Sequence, residues 1–135
     1  MREKIAIVVS IFNYEITGQM EKIALERAEE QGLNVVKVVE VPGSFEIPLA
    51  VKELIKQKNI NGIVTLGTII KGGTDHDVVV AHTVAKTLLE LSVDYEKPVS
   101  LGISGPNTTW QQSEKRIQEY AFRAVDSVVK MLRRG

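Results

Sequence analysis

Cysteine is absent from the 135 residues. That excludes a disulfide, a thiolate metal site and a cysteine nucleophile. Neither sign of charge is in surplus: 17 Lys and Arg face 17 Asp and Glu, for a formal net charge of zero. Binding to a phosphate backbone needs a basic excess, so nucleic acid is not an expected partner. The densest basic cluster, Lys130, Arg133 and Arg134, suits the C-terminal end of a helix dipole. No apolar run approaches the roughly 20 residues of a membrane span, and residues 1–10 do not resemble a signal peptide. A cytoplasmic protein that meets neither membrane nor nucleic acid is expected. Also missing are a Gly-x-Gly-x-x-Gly fingerprint, a Walker loop and any His/Asp/Glu cluster with metal-ligand spacing. No metal or nicotinamide is therefore expected.

What is present is a regular alternation. Residues 4–11 form a nearly continuous apolar run, as in a strand buried on both faces. Asn13 can cap a helix that carries Ile16, Met20, Ile23, Ala24 and Ala28 at helical spacing and stops at Gly32. Residues 34–41 are β-branched and read as a second strand. After the turn Pro42-Gly43, Ser44 is a candidate N-cap for a helix with Ile47, Ala50, Val51, Leu54 and Ile55 on one face. A third strand spans 62–70. A third helix from His76 to about Tyr95 has Val78, Val79, Val80, Val84, Leu88 and Leu91 on several sides, so it is expected to be buried more than the first two. A fourth strand covers 98–104, then a loop from Ser104 to Asn107. Thr108 with Gln111 resembles a capping box for one last helix ending near Leu132. Four strand–helix units in one domain, residues 1–135, predict an α/β three-layer αβα sandwich. Its expected core is a flavodoxin-like four-stranded parallel sheet of order 2-1-3-4. Ligands of such sheets bind beyond the carboxyl ends of the strands, where the chain changes side.

Four segments fall at that end. The richest is Gly67-Thr68-Ile69-Ile70-Lys71-Gly72-Gly73-Thr74-Asp75-His76-Asp77. A strand emptying into a glycine turn and a helix offers main-chain N–H groups to an anion. His76 adds a group that exchanges protons near neutral pH. The bland alternative is a turn whose glycines only satisfy a positive φ. Phe12, at the end of the first strand, can stack on a planar heterocycle or simply pack in the core. Glu46 can complement a helix dipole or accept hydrogen bonds from a polyol. Arg116, about two turns into the last helix, can form a surface ion pair or clamp a phosphate. His82 lies mid-helix and reads as a packing or surface residue.

Together these segments resemble the 6,7-dimethyl-8-ribityllumazine synthase family, most closely its archaeal form. The carriers are Phe12-Asn13, Val41 to Pro48, Gly67 to Asp77, and Leu101 to Pro106. The resemblance implies a transferase of riboflavin biosynthesis that uses no cofactor. It condenses 5-amino-6-(D-ribitylamino)uracil with 3,4-dihydroxy-2-butanone 4-phosphate. It implies that Phe12, Ser44, Phe45, Glu46, Thr68, Ile69 and Ile70 hold the aminouracil, that Gly73 and Thr74 bind the phosphate, and that His76 transfers protons. Leu101 and Arg116 would come from a neighbouring subunit, and homopentamers would form, alone, as decamers or as 60-subunit shells.

This chain also departs from the family's common pattern. Leu101 stands where many members have Phe, and Arg116 is followed by Ile-Gln-Glu-Tyr without the Lys found one turn on in bacterial members. The segment Ser104 to Thr109 is about one residue longer than in the bacterial pattern, and the sequence begins almost at its first strand. Rival readings are an archaeal-type riboflavin synthase, a non-catalytic lumazine or flavin carrier, and a flavodoxin-like regulatory or electron-transfer domain.

Overall fold

The computed structural model describes residues 2–135. Four parallel strands, β1 (Lys4–Ser10), β2 (Asn34–Val41), β3 (Gly62–Ile70) and β4 (Val99–Thr108), lie in the order β2-β1-β3-β4. This is the expected order. The central strands are apolar on both faces because both faces are covered. Ile5, Ile7, Val9, Val64 and Leu66 pack under α1 (Tyr14–Glu30) and α5 (Ile117–Leu132). Ala6, Val8, Ile63 and Ile103 pack under α2 (Ile47–Ile55) and α3 (His76–Tyr95). A bidentate pair holds α1 to α5: Arg27 donates through Nε and Nη2 to Asp126 at 2.9 and 3.0 Å. Among the described residues no helix is long and apolar enough to cross a membrane.

Several local expectations are corrected. α3 is not buried on several sides: Ala81, Val84, Leu88 and Leu91 are buried, whereas Val79, Leu89 and Val93 are exposed. The helix lies on one face of the sheet, so one stripe suffices for the core and the other faces outward. Ser44 is not an N-cap; it opens a short 3₁₀ turn, Ser44–Glu46, that precedes α2. Asn13 occupies the N-cap of α1 in the left-handed region, φ 64°, and its side chain makes no capping bond. Residues 104–108 continue β4, with a register shift that sets Ile70 against Thr108. The capping box is Thr109 with Gln112, one residue later than expected, and it opens a separate helix α4 (Trp110–Lys115). The single last helix is thus two, broken at Arg116.

Candidate active site

The sheet itself creates a cleft. β1 pairs with β3 only as far as Val9 opposite Leu66. Beyond that point the chain leaves β3 and follows β2: the N–H groups of Ile11 and Phe12 donate to the carbonyls of Val41 and Pro42 at 2.8 and 2.9 Å. Gly67 to Ile70 therefore lack a β1 neighbour, and main-chain groups along that edge stay available. On the other edge the ladder with β4 is interrupted between Thr68 and Ile70. A cleft of about 450 Å³ occupies this gap at the carboxyl end of the sheet.

Phe12, Asn13, Ser44 and Phe45 line one part of the cleft, and Thr68, Ile69 and Ile70 form its β3 edge. The left-handed turn at Asn13 starts α1 immediately after Phe12, with the Asn13 carbonyl accepting the N–H groups of Ile16 and Thr17. Phe12 and Phe45 are 69% and 64% exposed. Rings left in water at that level are not spent on the core. Thr68 has its hydroxyl committed elsewhere: it shares a hydrogen bond with Ser113 at 2.7 Å and accepts one from Ser104 at 2.7 Å. This buried hydroxyl trio anchors α4 to β3 and β4, and it leaves the main chain of Thr68 as its contribution to the cleft.

His76 is the first residue of α3, exposed and in the cleft wall. Its N–H donates to Thr74 Oγ1 at 3.3 Å. Neither Gly72 nor Gly73 has a left-handed φ, and a Cβ on either would meet no atom within 4 Å. The turn thus does not need glycine for its own backbone or packing. Gly72 borders the cleft, and Gly73 and Thr74 follow it on the exposed approach to His76.

Neither Gly73 nor Thr74 lines the cleft itself, and Glu46, Leu101 and Arg116 also lie outside its lining. Glu46 is exposed at the end of the 3₁₀ turn, with its Oε1 folded back 3.2 Å from the Cβ position of Gly43. Leu101, on β4, borders a different hollow with His82 and Ala85. Arg116 is not inside a helix; it sits at the α4–α5 junction with φ −108° and ψ 10°, beside Asn107, Gln112 and Tyr120. Leu101 and Arg116 do not line the Phe12–His76 cleft.

Other cleft residues were not anticipated, chiefly Asp77, Val80 and Trp110. Asp77 is 4% exposed, and its Oδ2 accepts the Asn107 N–H at 2.9 Å. Its adjacency to His76 was the available signal. Trp110 carries no signal beyond its place just after the capping-box residue Thr109.

The cleft thus brings two exposed phenyl rings, a strand edge and His76 together. Comparison with known proteins identifies the family. The sequence model for 6,7-dimethyl-8-ribityllumazine synthase matches residues 2–134. The 6,7-dimethyl-8-ribityllumazine synthase of Sulfolobus acidocaldarius is 52% identical, over 96% of this chain and 82% of its own length. That of Metallosphaera sedula is 51% identical over 97% and 87%. That of Methanopyrus kandleri is 49% identical over 97% and 92%. With this cleft and likeness along nearly its whole length, the chain belongs to the 6,7-dimethyl-8-ribityllumazine synthase family.

Proposed function

We propose that residues 1–135 form one catalytic domain that makes 6,7-dimethyl-8-ribityllumazine from 5-amino-6-(D-ribitylamino)uracil and 3,4-dihydroxy-2-butanone 4-phosphate. The observation that carries the reading is one cleft shared by two exposed phenyl rings, an unpaired strand edge and His76. Phe12 and Phe45 offer faces to the pyrimidine. Ser44 and the main chain of Thr68, Ile69 and Ile70 read its edge, and Glu46 takes ribityl hydroxyls. Gly73 and Thr74 hold the phosphate at the N-terminus of α3, where the helix dipole favours an anion.

The 5-amino group attacks the ketone of the second substrate, and loss of water gives a Schiff base. His76 takes the proton from the neighbouring carbon, and phosphate departs from the next carbon with its bonding electrons. The resulting enol tautomerises to a methyl ketone. The ribityl-bearing nitrogen closes the ring there with loss of a second water. The reactants carry their own electrophile and nucleophile, so the protein supplies proximity, a phosphate site and a proton carrier.

Arg116 and Leu101 complete the site from a second copy of the chain. A pocket shared head-to-tail closes as a ring, and the family's homopentamer is the ring assigned here. The exposed Val79, Leu89 and Val93 on one face of α3, with Leu101 on β4, give the apolar surface such an interface uses. Light scattering distinguishes a pentamer from a decamer or a 60-subunit shell. The cytoplasm suits this chemistry, since a charged phosphate ester does not cross a bilayer unaided. The test of function is direct: supplied with both substrates, the protein generates fluorescent lumazine. A folded protein that yields none at high concentration overturns the reading.

A further inference from the structure

The chain has a single tryptophan, and core packing does not use all of it. Trp110 is the first residue of α4. The capping box fixes its backbone: Thr109 Oγ1 accepts the Gln112 N–H at 3.2 Å, and Gln112 Oε1 accepts the Thr109 N–H at 2.9 Å. One turn on, Ser113 is tied to Thr68 and Ser104, so the helix is anchored to both strands that end at the cleft. Trp110 is half-buried against the core under α1 and α5, and it also lines the cleft that holds Phe12 and His76. Its indole N–H has no protein acceptor among the described residues. An indole needed for the core alone would be enclosed; this one keeps exposed surface and lines the cleft.

Building on the reading that the aminouracil occupies this cleft, we propose that Trp110 forms a wall of the pyrimidine subsite and sets specificity for that substrate. A rigid indole offers a flat, polarisable face and one donor, which suit a planar heterocycle with carbonyl groups. The acyclic butanone phosphate gains nothing comparable from it. Trp110 thus governs the binding of one substrate and leaves proton transfer at His76 alone.

The experiment titrates the aminouracil alone into the wild-type protein while following tryptophan emission, which here reports one residue. Emission moves to shorter wavelength and saturates as the indole is desolvated. In steady-state assays, Trp110→Leu raises KM for the aminouracil about 10- to 100-fold, the scale of a lost base–aromatic stack. KM for the butanone phosphate and kcat stay within about threefold, under 0.7 kcal/mol, and Trp110→Phe restores most of the affinity. An emission spectrum unmoved at saturating aminouracil overturns the proposal, as does an equal rise in both KM values. Should Trp110→Leu fail to fold, the wild-type titration and Trp110→Phe decide. A wild type that binds the aminouracil with the emission shift yet makes no lumazine refutes the proposed reaction and keeps the subsite.

Discussion

Asp77 accepts the main-chain N–H of Asn107 through Oδ2 at 2.9 Å and so joins the first turn of α3 to the outer end of β4. The carboxylate is buried, follows His76 directly and borders the cleft. Removing it strands a partly buried N–H. Asp77→Ala therefore lowers stability by about 1–3 kcal/mol, and Asp77→Asn, which keeps an acceptor, lowers it less. Denaturant unfolding measures both, and equal effects from the two substitutions would contradict the hydrogen-bond account.

His76→Ala lowers kcat by about 10²- to 10⁴-fold, the usual share of general acid–base catalysis. KM for both substrates changes little, because stacking and phosphate binding reside elsewhere. A fall beyond about six orders of magnitude would exceed what proton transfer supplies and would refute a mechanism based mainly on proximity.

The proposed sharing of the site between neighbours makes a prediction of its own. His76→Ala and Arg116→Ala are each impaired as uniform assemblies. Co-expressed, they form mixed rings in which some pockets combine an intact His76 with an intact Arg116. Activity per protomer then exceeds that of either variant. No recovery in verified mixed rings would place both residues in one subunit's site.

Gly67 has no room for a side chain. A Cβ there would stand 2.7 Å from Ser44 Oγ and 3.1 Å from Ser10 Oγ, and both hydroxyls are buried without a protein partner among the described residues. Gly67→Ala forces the Ser44–Glu46 turn away from β3 and costs about 1–3 kcal/mol, the scale of overpacking. Adding Ser44→Ala to it recovers part of that loss. A double-mutant cycle on thermal or denaturant unfolding reads the coupling.

Acid stability has a local source in the ends of the chain. Arg133 donates through Nε and Nη2 to both oxygens of Glu3 at 2.7 and 2.9 Å, and this lowers the Glu3 pKa from 4.5 to about 2. A depressed carboxylate stabilises the fold above its unfolded pKa, and that contribution is lost as pH falls through the folded value. The wild type therefore loses stability between pH 4.5 and about 2, while Glu3→Gln shows a flatter profile over that window. Unfolding midpoints measured across it test the pair, and parallel curves would refute it.

The fold was legible because strand and helix periodicities alternate without interruption, and a buried parallel strand such as β1 writes itself as a continuous apolar run. Phe12, Ser44, Phe45, Thr68, Ile69, Ile70 and His76 could be proposed together because the topology brings strand ends to one side of a sheet, and they do line one cleft. The outer end of β4 was misread. Gly105, Pro106 and Asn107 signal a turn locally, but pairing with Ile70 and the Asp77–Asn107 bond extend the strand. Arg116 was misplaced for a related reason: helical spacing runs through it, and the break between α4 and α5 has no Pro or Gly to announce it.

By itself, then, the sequence determined the layers, the strand order and the glycine turn beside His76, because these follow from local periodicity and chain connectivity. Tertiary structure alone decided that β3 outruns β1 to leave an open edge, that Trp110 and Asp77 join the cleft, and that a helix break falls at Arg116. Those outcomes depend on where strands stop pairing and on which buried hydroxyls and carboxylates find partners. Such contacts link residues far apart in the chain and leave no periodic trace along it.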